Sequence, residues 1–120
     1  MPLKSYPYKR TVLYRDSRVE IVRIVWPPGV ESLPHDHGKS YGITKVVAGI
    51  IFQDIFSKKT KRFLEHTKHK QNEVLFETPD VIHIMGNPSK KKAAETIHIY
   101  SPRLKMAYYK KTELRYPKNR

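Results

Sequence analysis

The chain has 120 residues, a mass of 14.2 kDa and a formal net charge of +13, from 24 Lys and Arg against 11 Asp and Glu. This length fits one domain, so residues 1–120 are expected to form a single unit. The chain has no Cys, which excludes disulfide bridges, thiolate metal sites and a cysteine nucleophile. We expect a cytoplasmic protein without a membrane segment, because no apolar run approaches the ~20 residues of a membrane helix and the N-terminus lacks the apolar core of a secretory signal.

Short runs rich in β-branched and aromatic residues, separated by Pro, Gly and Asn, predict strands along most of the chain. In chain order these runs are residues 19–26, 43–47, 50–56, 63–65, 73–77, 81–85, 93–100 and 105–109. In the seventh run, strict alternation puts Thr96, His98 and Tyr100 on one face. About eight to ten short antiparallel strands without helical periodicity predict an all-β sandwich or barrel.

The basic charge concentrates in three stretches, residues 58–62, 90–92 and 103–120, which are expected in loops and the C-terminal tail. A chain of this charge can bind nucleic acid through counterion release. However, the basic residues are scattered rather than arranged in a recognition motif. A nucleic-acid partner is therefore the less favoured interpretation, and salt-dependent gel shifts would test it.

Two of the six histidines form the sequence His35-Asp36-His37. Residues i and i+2 of a strand point to the same side, so the two imidazoles could hold a metal ion between them. By itself this pair is a weak signal, because isolated histidine pairs are more often ordinary surface or core residues.

The residues around the pair resemble the two sequence motifs of the cupin superfamily. The matching positions are Gly29, His35, His37, Gly49, Pro79, His83 and Asn87. Val81 stands where the second motif prefers Gly, and the Glu expected between His37 and Gly49 is missing. The resemblance implies a jelly-roll β-barrel with three metal-binding histidines, His35, His37 and His83, and no motif glutamate.

The run from Thr96 to Pro102 resembles more narrowly the S-x-H-x-Y-S-P strand of cysteine dioxygenases. In that family the His orients the Tyr, the Tyr hydroxyl reaches the substrate and dioxygen, and the Ser–Pro bond is cis. The resemblance therefore implies catalytic roles for Tyr100, His98 and Thr96.

Two further positions bear on the same resemblance. Tyr8-Lys9-Arg10 is similar to the family's Y-x-R, which implies that Arg10, beside Tyr8, binds the substrate carboxylate. Gly42 stands where animal members carry a Cys that becomes crosslinked to the Tyr. A chain without Cys cannot form that crosslink.

The resemblance implies a non-haem Fe(II) enzyme that converts cysteine, or a similar small thiol acid, and O2 into the sulfinic acid. Arg10 favours cysteine over 3-mercaptopropionate, because relatives that act on the latter tend to lack this Arg. Two alternatives stay open: a non-catalytic metal-binding cupin that acts as a sensor or assembly module, and a basic protein associated with nucleic acid.

Overall fold

The computed structural model describes residues 7–117, which form ten strands and one short 3-10 helix. The strands are β1 (Lys9–Arg15), β2 (Glu20–Trp26), β3 (His35–Asp36), β4 (Tyr41–Ala48), β5 (Ile50–Ser57), β6 (Phe63–Lys70), β7 (Val74–Glu77), β8 (Val81–Gly86), β9 (Ala94–Ser101) and β10 (Ala107–Tyr108), and the helix is Lys111–Glu113. Along residues 7–117 no helix has the length and apolar character needed to cross a membrane.

The strands form two five-stranded antiparallel sheets. The first sheet has the order β1-β2-β9-β4-β7, and the second has the order β10-β3-β8-β5-β6. Apart from the consecutive pairs β1–β2 and β5–β6, neighbouring strands come from distant parts of the chain, as in a jelly roll. The all-β jelly-roll prediction is confirmed, with one correction: along the described chain the sheets are not closed into a continuous barrel.

The strands with the clearest alternation in sequence lie at the centre of the first sheet. β2 alternates strictly between buried and half-buried residues, and β9 buries Ala94, Thr96, His98 and Tyr100. The prediction that these β9 residues share a face is therefore confirmed. β6 was expected over residues 63–65 only and in fact continues to Lys70, because pairing with β5 extends a polar sequence that lacks an apolar pattern.

Two apolar clusters lie among the buried residues. One is built around Trp26, with Val22, Val46, Ile51 and Met85. The other contains Phe56, Ile82, Ile84 and Leu114. Polar side chains are equally buried, including His37, Thr44, Glu77, His83 and His98. Burying polar groups is costly unless they have partners, so this polar cluster indicates a functional site.

Two of the cupin-motif residues shape the loops near the first cluster. Gly29 adopts a φ of +73° and donates its backbone N–H to the Ser89 carbonyl at 2.8 Å. The Asn87 amide donates to the carbonyls of Trp26 at 3.1 Å and Lys92 at 2.7 Å. These two residues therefore tie the end of β2 to the loop that leads into β9.

Candidate metal centre

Three buried histidines, two on the second sheet and one just after its strand β3, converge on one point. His35 lies on β3 directly opposite His83 of β8, and His37 follows just after β3. One ring nitrogen from each residue lies within 4.8 Å of the corresponding nitrogens of the other two. The fold therefore brings together the three residues that the sequence motifs selected as metal ligands.

Hydrogen bonds on the outer side of the rings fix the tautomers of two of these histidines. His35 Nδ1 donates to the Leu33 carbonyl at 2.8 Å, and His83 Nδ1 donates to the Gln53 side-chain oxygen at 3.0 Å. A neutral imidazole carries only one N–H. The Nε2 atoms of His35 and His83 therefore both present lone pairs to the inside of the site.

These two Nε2 atoms lie only 3.0 Å apart. Two facing lone pairs repel each other unless a proton or a metal ion lies between them. Ligands at about 2.1 Å from an ion and at right angles to each other would be about 3.0 Å apart. The spacing and donor type fit a divalent metal ion, and imidazole nitrogen suits iron, zinc, copper and nickel.

The protonation of the three imidazoles agrees with this role. Burial lowers the pKa of His35 to about 4, with repulsion from His37 adding to the effect. Burial also lowers the pKa of His37 and, further, that of His83. All three rings are consequently neutral at pH 7, which is the form that binds metal.

A carboxylate that the sequence motifs did not identify lies beside the histidines. Glu77, the last residue of β7, is buried, and its Oε1 is 3.1 Å from His37 Nε2 and 3.6 Å from His83 Nε2. Burial opposes its ionisation, but hydrogen bonding and the nearby histidines outweigh this and lower the pKa of Glu77. A buried carboxylate from a different strand than the one that follows the histidine pair thus lies beside His37 and His83.

A chain of hydrogen bonds on the first sheet surrounds His98. Trp26 Nε1 donates to Thr96 Oγ1 at 2.9 Å, which leaves the Thr96 hydroxyl to donate to His98 Nε2 at 2.7 Å. His98 Nδ1 then carries the proton and donates to Thr44 Oγ1 at 2.9 Å, while the Thr44 hydroxyl donates to Glu77. Every donor in this chain has an acceptor, so His98 has a single orientation and tautomer.

Tyr100 lies at the end of this network. Its hydroxyl is 3.1 Å from His98 Nδ1, and its ring centroid lies 5.1 Å from that of His37. Burial, reinforced by Glu77, raises the pKa of Tyr100 well above its usual value, so the phenol stays protonated. The adjacent Ser101–Pro102 bond is cis, as the cysteine dioxygenase resemblance implied.

Gly42 lies directly beneath the Tyr100 ring. A Cβ at this position would lie 2.8 Å from two Tyr100 ring carbons and 3.5 Å from Glu77 Cβ. The absence of a side chain therefore makes room for both Tyr100 and Glu77. Gly42, which the resemblance matched to the crosslinking Cys of animal members, therefore does face Tyr100.

A cavity beside the metal site is lined by both polar and apolar side chains. Its volume is ≈ 20 Å³, and its walls are Tyr8, Arg10, Val22, Ile24, Trp26, His35, His83, Met85, His98, Tyr100, Leu104 and Met106. Tyr8 packs on Trp26, with ring centroids 4.5 Å apart. Arg10 forms an ion pair with buried Glu20 at 3.2 Å. Both residues that were predicted to bind substrate are thus on the cavity wall.

The other two histidines lie outside this site, on β6. The His66 side chain is 37% exposed and its Nδ1 is hydrogen-bonded to Asp54. His69 is half-buried, with Nδ1 3.4 Å from Glu73. Neither lines the cavity, and the same is true of the basic stretches at residues 58–62 and 90–92.

Comparison with known proteins connects this site to a family. Residues 3–111 match the family model described as cysteine dioxygenase type I.

Solved structures of similar fold are distant in sequence. A Klebsiella pneumoniae conserved protein with a double-stranded β-helix domain has a TM-score of 0.68 at 16% identity, over 86% of this chain and 84% of that one. Oxalate oxidase in complex with glycolate has a TM-score of 0.73 at 17% identity, over 85% of this chain and 55% of that one. The cupin domain of Schizosaccharomyces pombe Cnp3 has a TM-score of 0.66 at 14% identity, over 80% of this chain and 61% of that one. These three likenesses show the cupin fold.

Proposed function

The chain belongs to the cysteine dioxygenase type I family, and we propose on that premise that it is an Fe(II) dioxygenase that oxidises a small thiol to its sulfinic acid. The observation that carries the proposal is the convergence of His35, His37 and His83 as neutral imidazoles beside a cavity that contains Tyr100 and Arg10. A cytoplasmic location remains a prediction.

His35, His37 and His83 would hold the iron. When bound, Fe(II) would lower the pKa of a coordinated thiol and activate dioxygen. The protein contributes by fixing the ring orientations through Leu33 and Gln53, so that little reorganisation is needed when the ion binds.

Arg10 would bind the carboxylate of the thiol substrate. Its side chain is 12% exposed and lies on the cavity wall, and Glu20 holds it there from β2. A guanidinium pairs with a carboxylate through two parallel hydrogen bonds, which gives orientation as well as affinity. This contact favours cysteine over thiols without a carboxylate, such as cysteamine.

Tyr100 would donate a hydrogen bond to the reacting thiol or oxygen. Because His98 Nδ1 carries its own proton, the proton on the Tyr100 hydroxyl is not needed by His98 and can be donated into the cavity. Thr96 and His98 therefore act as positioning residues: Thr96 hydrogen-bonds His98, and the His98 ring holds the Tyr100 hydroxyl.

The cavity is small, which favours a small substrate. Its volume of ≈ 20 Å³ holds about one water molecule, for which ~10–15 Å³ is the minimum. A thiol acid would need the cavity to widen, and Leu104 and Met106 are the least buried of its apolar wall residues. Once the thiol is bound, the apolar wall would leave no bulk water beside the sulfur.

The reaction balances without another reductant. The thiol sulfur loses its hydrogen to become a sulfinate, both atoms of one dioxygen molecule form bonds to that sulfur, and the electrons that dioxygen accepts come from the sulfur itself. No residue needs to be oxidised, which agrees with a chain that contains no Cys.

The test is anaerobic loading of the protein with Fe(II), followed by addition of O2 and one thiol from a panel of cysteine, 3-mercaptopropionate and cysteamine. NMR should detect a sulfinate, with cysteine the best substrate, and the His83→Ala variant should produce none. Intact thiol throughout the panel after aerobic incubation with the iron-loaded protein would overturn the proposal and favour a non-catalytic metal-binding cupin.

A further inference from the structure

We propose that Glu77 is a fourth ligand to the metal ion, delivered from β7 instead of from the strand that follows the histidine pair. The inference rests on the metal centre of the proposed function, but not on the identity of the thiol.

The first support is distance. Glu77 Oε1 lies 3.1 Å from His37 Nε2 and 3.6 Å from His83 Nε2, and both histidines belong to the group that converges on the site. Ligand atoms at about 2.1 Å from one ion are separated by about 3.0 Å at right angles and about 3.4 Å in a tetrahedron. The distances from the carboxylate oxygen to His37 and His83 are therefore those expected between ligands of one ion.

The second support is an unsatisfied buried atom. The Glu77 side chain is 3% exposed, and Oε1 has no hydrogen-bond partner. Neither ring nitrogen of His37 has one, because the 3.1 Å contact lacks the angles of a hydrogen bond. A buried carboxylate oxygen without a donor is costly. A cation bound by both residues would satisfy Glu77 Oε1 and one of the two ring nitrogens of His37.

The third support is the way in which neighbouring residues aim the carboxylate. Glu77 pairs with Gly42 of β4, and the absence of a side chain at Gly42 opens the space that Glu77 and Tyr100 share. Two residues further along β4, the Thr44 hydroxyl holds Glu77 Oε2. One oxygen is thus anchored to the first sheet, and the other is directed to the histidines of the second.

Metal affinity and coordination test this inference without any turnover. Cobalt(II) would be titrated anaerobically into metal-free wild-type protein and into Glu77→Gln, which keeps the shape of the side chain. The control is Glu65→Gln, which removes an exposed acid from β6. A further variant, Thr44→Val, removes the hydroxyl that anchors Oε2 and accepts the proton of His98 Nδ1, and leaves the Glu77 carboxylate in place. The dissociation constant and the cobalt absorption spectrum would be recorded for each.

Mutation of residues that only hydrogen-bond to metal ligands lowers metal affinity by up to ~100-fold. Loss of Glu77 as a direct ligand should therefore raise the cobalt dissociation constant by at least this factor. The cobalt absorption bands should shift, while Glu65→Gln matches the wild type. A Glu77→Gln dissociation constant within tenfold of wild type, with an unchanged spectrum, would overturn the inference while leaving the three-histidine site intact. Failure of the wild type to bind cobalt would overturn both proposals.

A second measurement uses the wild type alone and does not depend on the folding of a variant. In crystals of the zinc-loaded protein, a Glu77 oxygen should lie about 2.0–2.2 Å from the ion. A zinc ion held by the three histidines, with both Glu77 oxygens beyond 3 Å, would overturn the inference.

Discussion

Replacing Gly42 with Ala tests whether the Tyr100 ring has a single position above β4. The new Cβ would lie 2.8 Å from both Cδ1 and Cε1 of Tyr100. Carbon atoms pack best at ~3.5–4.0 Å, so the ring must move by about 0.7 Å or more. This displacement exceeds what the 3.1 Å contact between the Tyr100 hydroxyl and His98 Nδ1 can absorb.

The expected cost follows from overpacking of a buried site. Inserting a methyl group without room typically lowers the free energy of unfolding by ~1–3 kcal/mol. Misplacing the hydroxyl by nearly 1 Å should also lower thiol oxidation by about 100-fold. Urea unfolding of the metal-free protein, followed by circular dichroism, measures the first effect, and sulfinate formation measures the second.

A double-mutant cycle isolates the contact with the ring. In a Tyr100→Ala background the space is free, so Gly42→Ala should change the free energy of unfolding by no more than about 0.5 kcal/mol. An equal cost in both backgrounds would show that the Tyr100 ring is not the obstacle. Full stability and full activity of the single variant would refute the close approach altogether.

Three further predictions concern the same site. Thr96→Val should lower the free energy of unfolding by ~1–3 kcal/mol in urea titrations because it leaves the buried Trp26 N–H without an acceptor, whereas Thr96→Ser should stay within about 1 kcal/mol of wild type. The metal-free protein should lose stability as the pH falls from 6.5 towards 4, because His35 binds a proton in the unfolded chain but not in the folded one. The free energy of unfolding should fall by ~1.4 kcal/mol per pH unit for this group. A free energy of unfolding that does not change over this pH range would contradict the lowered pKa of His35. Arg10→Gln should raise KM for cysteine by ~10–100-fold and leave KM for cysteamine unchanged, as expected for the loss of a charged hydrogen bond to the carboxylate. The control is Arg15→Gln, which removes the more exposed of the two arginines that pair with Glu20. Equal effects of Arg10→Gln on both thiols would argue against carboxylate binding.

The fold was predictable because its central strands carry their pattern locally. β2 and β9 alternate between buried and less buried positions, and the alternation of residue types in β9 is enough to put Thr96, His98 and Tyr100 on one face. The edge strand β1 and the polar β6 carry little such pattern. They are strands because each forms backbone hydrogen bonds with a neighbouring strand, and this pairing cannot be read from their own residues.

The candidate site also combines residues that the sequence identified with one that only the pairing of strands reveals. His35, His37 and His83 were selected by the spacing of short motifs, and their roles as iron ligands remain predictions that the geometry supports. Glu77 was missed because β7 has four residues of which Val74 and Phe76 are apolar but exposed, while Glu77 is buried beside Leu75. Only the pairing of β7 with β4 opposite Gly42 brings the carboxylate to the histidines.

The most direct test of the proposed chemistry is to supply the Fe(II)-loaded protein with cysteine and ¹⁸O2 and to analyse the product by mass spectrometry. A thiol dioxygenase that uses His35, His37 and His83 should form cysteine sulfinate in which both sulfinate oxygens carry the label, and His35→Ala should abolish the product. Unchanged cysteine, or a sulfinate that takes its oxygen from water, would contradict this function.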